Sequence, residues 1–177
     1  MVRLIPLCFA MFAAACGSQP AANDVTSAEP VQTSNKQAVP VAEVPSEVTA
    51  VVLARIPDLK LASAESETRD GRRYFDIGGT TADGAEIELD IMEEDGRWRV
   101  VETQRDIAID EAPEPVRAAA RGHDQSFAPT RVIESKQEDG LVIYELYGPV
   151  GSDRQGRKVE VKWDGSKASV LTQEWAH

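Results

Sequence analysis

The chain has 177 residues, with 19 Lys and Arg against 30 Asp and Glu, which gives a formal net charge of −11. This balance excludes a general nucleic-acid binder, which needs a basic face, and it excludes electrostatic adhesion to anionic lipid headgroups. Both cysteines, Cys8 and Cys16, lie in the N-terminal segment. The folded part is therefore predicted to have no disulfide, no cysteine metal site and no thiol nucleophile.

Residues 1–15 have the composition of an export signal. Arg3 supplies a positive charge, and an apolar run extends from Leu4 to Ala15. A run of about a dozen residues is too short to span a bilayer as a helix but suits the apolar region of a signal peptide. The small residues before Cys16 resemble the lipobox of bacterial lipoproteins, although Ala13 stands where that motif usually has Leu. The resemblance implies cleavage before Cys16 and lipid on its thiol, and ordinary secretion is the alternative.

Residues 16–43 consist largely of Ala, Ser, Gln, Asn, Pro and Val, with no aromatic residue. Such a segment cannot bury enough apolar surface to offset the entropy of ordering it. The sequence therefore predicts a disordered tether over residues 16–43. The Gly17-Ser18 pair after the cysteine resembles outer-membrane sorting signals. We expect a lipid-anchored protein on the periplasmic side of the cell envelope, with the outer membrane favoured.

The folded part is predicted to begin near Val44. Ser46 is a candidate helix cap, Val48 and Val52 recur at helical spacing, and Pro57 ends the helix. Asp-Gly pairs then separate stretches of strand composition, and such pairs indicate hairpins because Gly adopts the positive φ of tight turns. The predicted strands are Leu59–Thr68, Arg72–Thr80, Ala85–Met92 and Arg97–Arg105.

These signals recur later in the chain. Asp139-Gly140 follows Asp70-Gly71 by 69 residues, and Asp164-Gly165 follows Asp95-Gly96 by the same interval. The interval indicates a duplicated unit, and short units of this kind stack to complete a common core. We predict an α+β fold of two tandem α-β-β-β-β repeats, with an antiparallel sheet and both helices packed on one face. The predicted repeats are residues 44–110 and 111–177.

The junction between the two repeats carries a recognisable motif. Residues 106–119 read Asp-Ile-Ala-Ile-Asp-Glu-Ala-Pro-Glu-Pro-Val-Arg-Ala-Ala and follow a predicted strand. This sequence, with the Asp-Gly turns around it, resembles the PepSY-like proteins, which are also described as β-lactamase-inhibitor-like. The resemblance covers roughly residues 44–175 and rests on turn and helix-start motifs. It implies an exported protein that binds or inhibits an envelope enzyme or a signalling partner, and it brings no catalytic residue.

Catalytic and metal sites are not predicted. His123, Asp124 and Ser126 are neighbours in sequence, which is not the spatial arrangement of a catalytic triad. Acidic residues crowd the hairpin at 83–95, but their spacing is not that of a calcium-binding loop, and a solvated strand face is the simpler interpretation. We therefore expect no enzyme activity, no metal and no cofactor.

A protein-binding surface is predicted on the outward side of the sheet. Matched apolar pairs recur in the second strand of each repeat, Phe75 with Ile77 and Tyr144 with Leu146. If these pairs face the core, the alternation of a strand turns their neighbours outward. Exposed aromatic residues among charged ones are typical of binding surfaces. The predicted partner-binding residues are Tyr74, Ile143 and Tyr147, and ordinary surface tyrosines or an inverted alternation are the alternatives.

These features predict a lipid-anchored, non-enzymatic binding module of the PepSY-like type. Its expected partner is an unidentified envelope protein, with inhibition or modulation of an envelope enzyme as the expected activity. One alternative is a structural or assembly lipoprotein with the same anchor, and another is a calcium or small-ligand sensor. Contact with the membrane is expected through the N-terminal lipid, and no nucleic acid is expected as a partner.

Overall fold

A computed structural model of the protein describes residues 36–150 and 156–175. In that part, nine strands form one sheet whose neighbours are all antiparallel, and the order of the strands in the sheet follows the chain. The strands are β1 (Gln37–Ala38), β2 (Lys60–Arg69), β3 (Arg72–Thr80), β4 (Glu86–Glu94), β5 (Arg97–Ile107), β6 (Arg131–Gln137), β7 (Val142–Val150), β8 (Gly156–Trp163) and β9 (Ala168–Val170). Helix α1 (Ser46–Arg55) precedes β2, and helix α2 (Glu114–His123) precedes β6. The predicted α+β class and antiparallel sheet are confirmed, with strands forming most of the fold.

The start of the folded part differs from the prediction. The predicted signal, the lipidation site Cys16 and most of the tether lie outside the described residues. The end of the predicted tether is structured, because Gln37–Ala38 forms β1 and Val41–Glu43 forms one turn of 3-10 helix. A tether that continues to residue 43 is therefore wrong. The free edge of β2 supplies the backbone partners that this polar segment lacks, and Val39 N–H donates to the Ala64 carbonyl at 2.9 Å.

The predicted turns form as expected. Gly71 and Gly96 close the β2–β3 and β4–β5 hairpins with φ of +77° and +72°. Asp70 and Asp95 before them also have positive φ. The tight turn that matches the twist of paired strands requires positive φ at two consecutive residues, which explains the Asp-Gly pairs at these two hairpins.

The two helices pack on the same side of the sheet. In the first part of the chain, Val48 and Val52 of α1 are fully buried against a cluster that includes Phe75, Ile77, Leu89 and Ile91. In the second part, Val116 and Ala120 of α2 pack against a cluster that includes Phe127, Tyr144, Leu146 and Val161. The register of β5 with β6 places Ile107 opposite Val132 on that side. We call this side of the sheet the helix face and the opposite side the open face.

Candidate binding face

The predicted binding residues lie on the open face, but most are not exposed. Their apolar neighbours Phe75, Ile77, Tyr144 and Leu146 belong to the helix-face clusters, as the alternation predicts. However, Tyr74 is only 3% exposed and Ile143 only 1% exposed. Because a partner cannot reach side chains buried to this degree, the expectation that Tyr74 and Ile143 offer accessible binding surface is wrong.

The burial of Tyr74 has a specific cause. It stands opposite Met92 on β4 and forms a small apolar cluster with Met92 and Val101. The Arg69 guanidinium lies 4.5 Å from the centre of its ring. Val101 reaches this cluster because the register of β4 with β5 shifts between Asp90 and Ile91, where a bulge leaves an extra residue in β5.

Tyr147 is the predicted residue that keeps part of its surface accessible. Its hydroxyl donates to Glu145, and the Arg131 guanidinium lies 5.6 Å from its ring centre. Arg131 in turn donates to both carboxylate oxygens of Asp106, at 2.7 and 2.9 Å. Burial and the Glu145 carboxylate raise the pKa of the Tyr147 hydroxyl. The ring is therefore a neutral, fixed platform among charged groups.

A row of carboxylates crosses the open face beside Tyr74. Asp76 on β3 stands opposite Asp90 on β4, and Asp90 stands opposite Glu102 on β5. Opposite side chains in an antiparallel pair have Cβ atoms about 5 Å apart. Asp76 is 7% exposed and Glu102 is 5% exposed, so these like charges lie close together with little water. We call Asp76, Asp90 and Glu102 the carboxylate row.

Burial and mutual repulsion change how the row titrates. Burial, reinforced by the Asp90 charge and opposed by Lys36, raises the pKa of Asp76 to about 6. Burial and the Asp90 charge raise the pKa of Glu102 to about 8. Glu102 is therefore mainly protonated at neutral pH. Titratable groups with such displaced pKa values are concentrated at functional sites in proteins.

Polar neighbours hold both ends of the row. At one end the Lys36 ammonium, which comes from the residue before β1, forms an ion pair with Asp76. At the other end the Ser135 hydroxyl donates to Glu102, and the Gln137 side-chain amide donates to the Ser135 oxygen at 2.8 Å. These contacts fix the row between the edge of the sheet and its centre.

A groove of about 340 Å³ lies along the same face, next to the row. Gly78 and Ser63 both line it, and the Ser63 hydroxyl lies over Gly78 where a larger residue would place its Cβ. Charged residues border the groove, and Glu88, Asp106 and Arg131 are exposed. The groove therefore offers a partner both a recess and charges of either sign.

The chemistry of this face favours binding through charge and hydrogen bonds. Among residues 36–150 and 156–175, no group of three or more His, Cys, Asp or Glu side chains is arranged to hold a metal ion. Asp124 accepts hydrogen bonds from Ser126 at the end of α2. That contact is a local turn, and among the described residues no hydrogen bond of His123 completes a triad. In the described part of the chain, no helix is long and apolar enough to cross a membrane.

Comparison with known proteins gives a distant structural likeness. No protein-family model and no curated protein matches the sequence. A similar solved structure is that of a "putative periplasmic protein" of the DUF2874 family from Bacteroides vulgatus. It is 16% identical, the match covers 71% of this chain and 96% of that one, and the TM-score is 0.29. At this identity and TM-score the likeness indicates neither a shared function nor a shared site.

The carboxylate row was not predicted from the sequence. Glu86, Glu88 and Asp90 alternate with apolar residues, and the sequence predicts a wet face for them. All three lie on the open face, where Glu86 and Glu88 are exposed but Asp90 is half-buried. The available signal was Asp76, an acid between Phe75 and Ile77 in an otherwise apolar stretch. That signal shows an unusual acid, but only the strand register shows that Asp90 and Glu102 stand beside it.

Proposed function

We propose that this protein is a lipid-anchored, non-enzymatic binding module of the PepSY-like type on the periplasmic side of the cell envelope. Its open face contacts an envelope protein, and this contact inhibits or modulates an enzyme. The groove border with Glu88, Asp106 and Arg131 is the accessible part of this surface, and Tyr147 is its aromatic element. Tyr74 and Ile143 are buried and belong to the packing under this surface.

The carboxylate row is the observation that carries this proposal. Like charges directly opposite each other destabilise a sheet, and burying a charge adds a further cost. On the helix face of the same two strands, Ile77 stands opposite Leu89 as a fully buried apolar pair. Pairing of these strands therefore does not require acidic residues. Proteins keep locally unfavourable arrangements chiefly where function requires them. The open face is therefore the best candidate for the functional surface.

Two features support the family and the duplication. The motif at residues 106–119 spans the end of β5, a 3-10 turn at Ile109–Glu111 and the start of α2. Within it, Ala112 and Val116 are buried in the second core cluster, so the motif residues have a packing role. Each half of the chain also runs as one helix followed by four strands. We propose on this basis that residues 44–110 and 111–177 are copies of one PepSY-like unit.

The binding surface can be tested by site-specific photo-cross-linking in cells. A photoreactive residue at Glu88 or Arg131 is expected to capture a discrete protein. The same residue at Leu53 of α1, which is 39% exposed on the helix face, is expected to capture none. Tyr147→Ala should weaken capture about 30-fold, the effect of losing an anchor residue worth about 2 kcal/mol, whereas Leu53→Ala should not.

The identity of the captured protein separates the two main functions. A hydrolytic or signalling enzyme whose activity changes on binding supports modulation. A component of envelope assembly supports the structural alternative. Capture at Leu53 with none at Glu88 and Arg131 contradicts the assignment of the open face.

The anchor is tested separately. Cys16→Ser should abolish incorporation of labelled fatty acid and leave the precursor uncleaved at this position, because the thiol is the group that would carry the lipid. Fractionation should then find no lipid-bearing mature form in the membrane pellet, and any variant that remains there should be the uncleaved precursor with its apolar signal region. Fatty-acid labelling that survives the substitution contradicts the anchor.

A further inference from the structure

The N-terminal end of the described chain is held to the outer edge of β2 by few backbone contacts. Strand β1 pairs with β2 through two residues, Gln37 opposite Ser66 and Ala38 opposite Glu65. Val39 N–H adds one hydrogen bond to the Ala64 carbonyl, and its half-buried side chain packs against the first core cluster on the helix face. Such a short strand at a sheet edge has little stability of its own and opens independently of the rest of the sheet.

One ion pair adds to these contacts. The Lys36 ammonium lies against the Asp76 carboxylate, and the Lys36 side chain keeps 34% of its surface exposed while that of Asp76 keeps 8%. The lysine can therefore return to water by rotation of its own side chain, but the carboxylate cannot. The strength of this contact depends on whether Asp76 carries its charge.

The charged groups around Asp76 are mostly acidic. Glu65 stands opposite Asp76 on β2, and Asp90 stands opposite it on β4. Glu88 lies two residues from Asp90 on the same face of β4. Glu102 stands beyond Asp90 on β5. On β3 itself the neighbour on this face is Tyr74, with the Arg69 guanidinium over its ring. Both helices lie on the other side of the sheet, so among residues 36–150 and 156–175 Lys36 is the cation that pairs directly with this end of the row.

We propose that residues 36–39 form an acid-released latch at the outer edge of β2, closed while Lys36 is paired with a charged Asp76 on the open face and opened when the carboxylate row takes up protons. On protonation, a proton from water adds to an Asp76 carboxylate oxygen while Lys36 remains an ammonium, so their attraction is lost. The same protons remove the repulsion within the row. Acid therefore loosens the latch and leaves the sheet beneath it folded.

Protonation of Asp76 and docking of Lys36 are linked through the pKa of Asp76, which is about 6 with Lys36 in place. Lys36 lowers that pKa, so by linkage protonation of Asp76 weakens docking of Lys36. Release of residues 36–39 uncovers the outer edge of β2 and one end of the carboxylate row. As a regulatory device for binding, the latch rests on the function proposed above, but its opening can be measured without a partner.

Hydrogen exchange of the full chain, measured residue by residue by NMR, tests the latch. With exchange corrected for its intrinsic pH dependence, protection of the Val39 amide should fall about tenfold or more between about pH 7.5 and about pH 5, one pKa unit of coupling being a factor of ten. Amides of the buried strand residues Ile77 and Leu89 should keep their protection. Val39 protection that is constant over this range, or that falls together with Ile77, overturns the proposal.

Three variants identify the group responsible. Lys36→Met should leave Val39 weakly protected at both pH values, and Asp76→Asn, which keeps the shape of the side chain, should do the same. Lys60→Met is the matched control, because it removes a cation from an exposed position on β2 and should behave as the unmodified chain. A Lys36→Met variant that retains the full pH dependence overturns the proposal. Cross-linking at Glu88 and Arg131 reports on the binding function independently of these results.

Discussion

Replacing Tyr74 by Ala is expected to lower the free energy of unfolding by about 3 kcal/mol, the size found when large aromatic side chains are removed from packed interiors. Tyr74 is 3% exposed and packs with Met92 and Val101 on the open face. Its removal leaves these side chains without their main contact and leaves the Arg69 guanidinium without the ring it covers. Urea denaturation at neutral pH, with an unchanged slope on denaturant, measures the loss.

Two variants control this experiment. Tyr74→Phe keeps the ring and should cost about 1 kcal/mol or less, because packing rather than the hydroxyl carries most of the stabilisation. Tyr147→Ala removes an aromatic side chain from the same face, but one that is partly exposed, and should cost about 1 kcal/mol. Equal losses for Tyr74→Ala and Tyr147→Ala would show that burial does not distinguish the two sites.

The local structure was largely predictable from the sequence. The predicted strand Arg72–Thr80 has the observed bounds, and Arg97–Arg105 ends two residues before β5 does. Hairpin positions were predictable because Asp-Gly pairs satisfy a backbone requirement that few other residues meet, as the positive φ of Gly71 and Gly96 shows. Helix α1 ends at Arg55, just before Pro57. These features depend on neighbours in the chain.

Exposure on the open face was not predictable in the same way. Alternation along β3 correctly placed Tyr74 on the side opposite Phe75, because a strand has a period of two. Its burial depends on Met92 and Val101, which come from two other strands, and on a bulge that brings Val101 into position. A bulge changes the register by one residue and leaves no simple mark in the sequence.

The first ordered segment was missed for a related reason. The composition of residues 36–43 is that of a linker, and no local pattern distinguishes Gln37–Ala38 as a strand. Its order comes from the unpaired edge of β2 and from the charge of Asp76, both supplied by residues more than 20 positions later in the chain. Long-range partners of this kind are invisible to periodicity.

Glu102→Gln is expected to raise the free energy of unfolding by about 2 kcal/mol at about pH 8 and to change it little at about pH 5. Glu102 is 5% exposed and stands opposite Asp90, and burial together with that charge raises its pKa to about 8. Gln reproduces the protonated acid, because its amide N–H can donate toward Asp90 while its oxygen accepts from Ser135. It therefore avoids the buried charge that Glu102 acquires as pH rises.

The sign of the effect follows from the two states. In the unfolded chain the pKa of a Glu is about 4.3, and in the folded protein the pKa of Glu102 is about 8. The folded state binds more protons in this window, so its stability is fully present below the lower value and declines as pH rises through the higher one. The unmodified protein should thus lose stability from about pH 5 to about pH 8, in the direction opposite to most carboxylates, and Glu102→Gln should flatten that decline.

Glu134→Gln provides the matched control with the opposite sign. Glu134 is 8% exposed and lies on the helix face, where it accepts from Arg105 at 2.7 Å and pairs with Lys136 at 3.1 Å. Burial alone would raise its pKa, but these two cations outweigh burial and lower it. Its charge therefore stabilises the fold above the unfolded pKa, and this contribution is lost as pH falls through the folded value. Glu134→Gln should lower the free energy of unfolding at neutral pH and change it little in acid. Denaturation curves at about pH 8 measure both Glu134→Gln and Glu102→Gln. A shift of stability in the same direction for the two variants would contradict the assignment of Glu102 as a buried neutral acid.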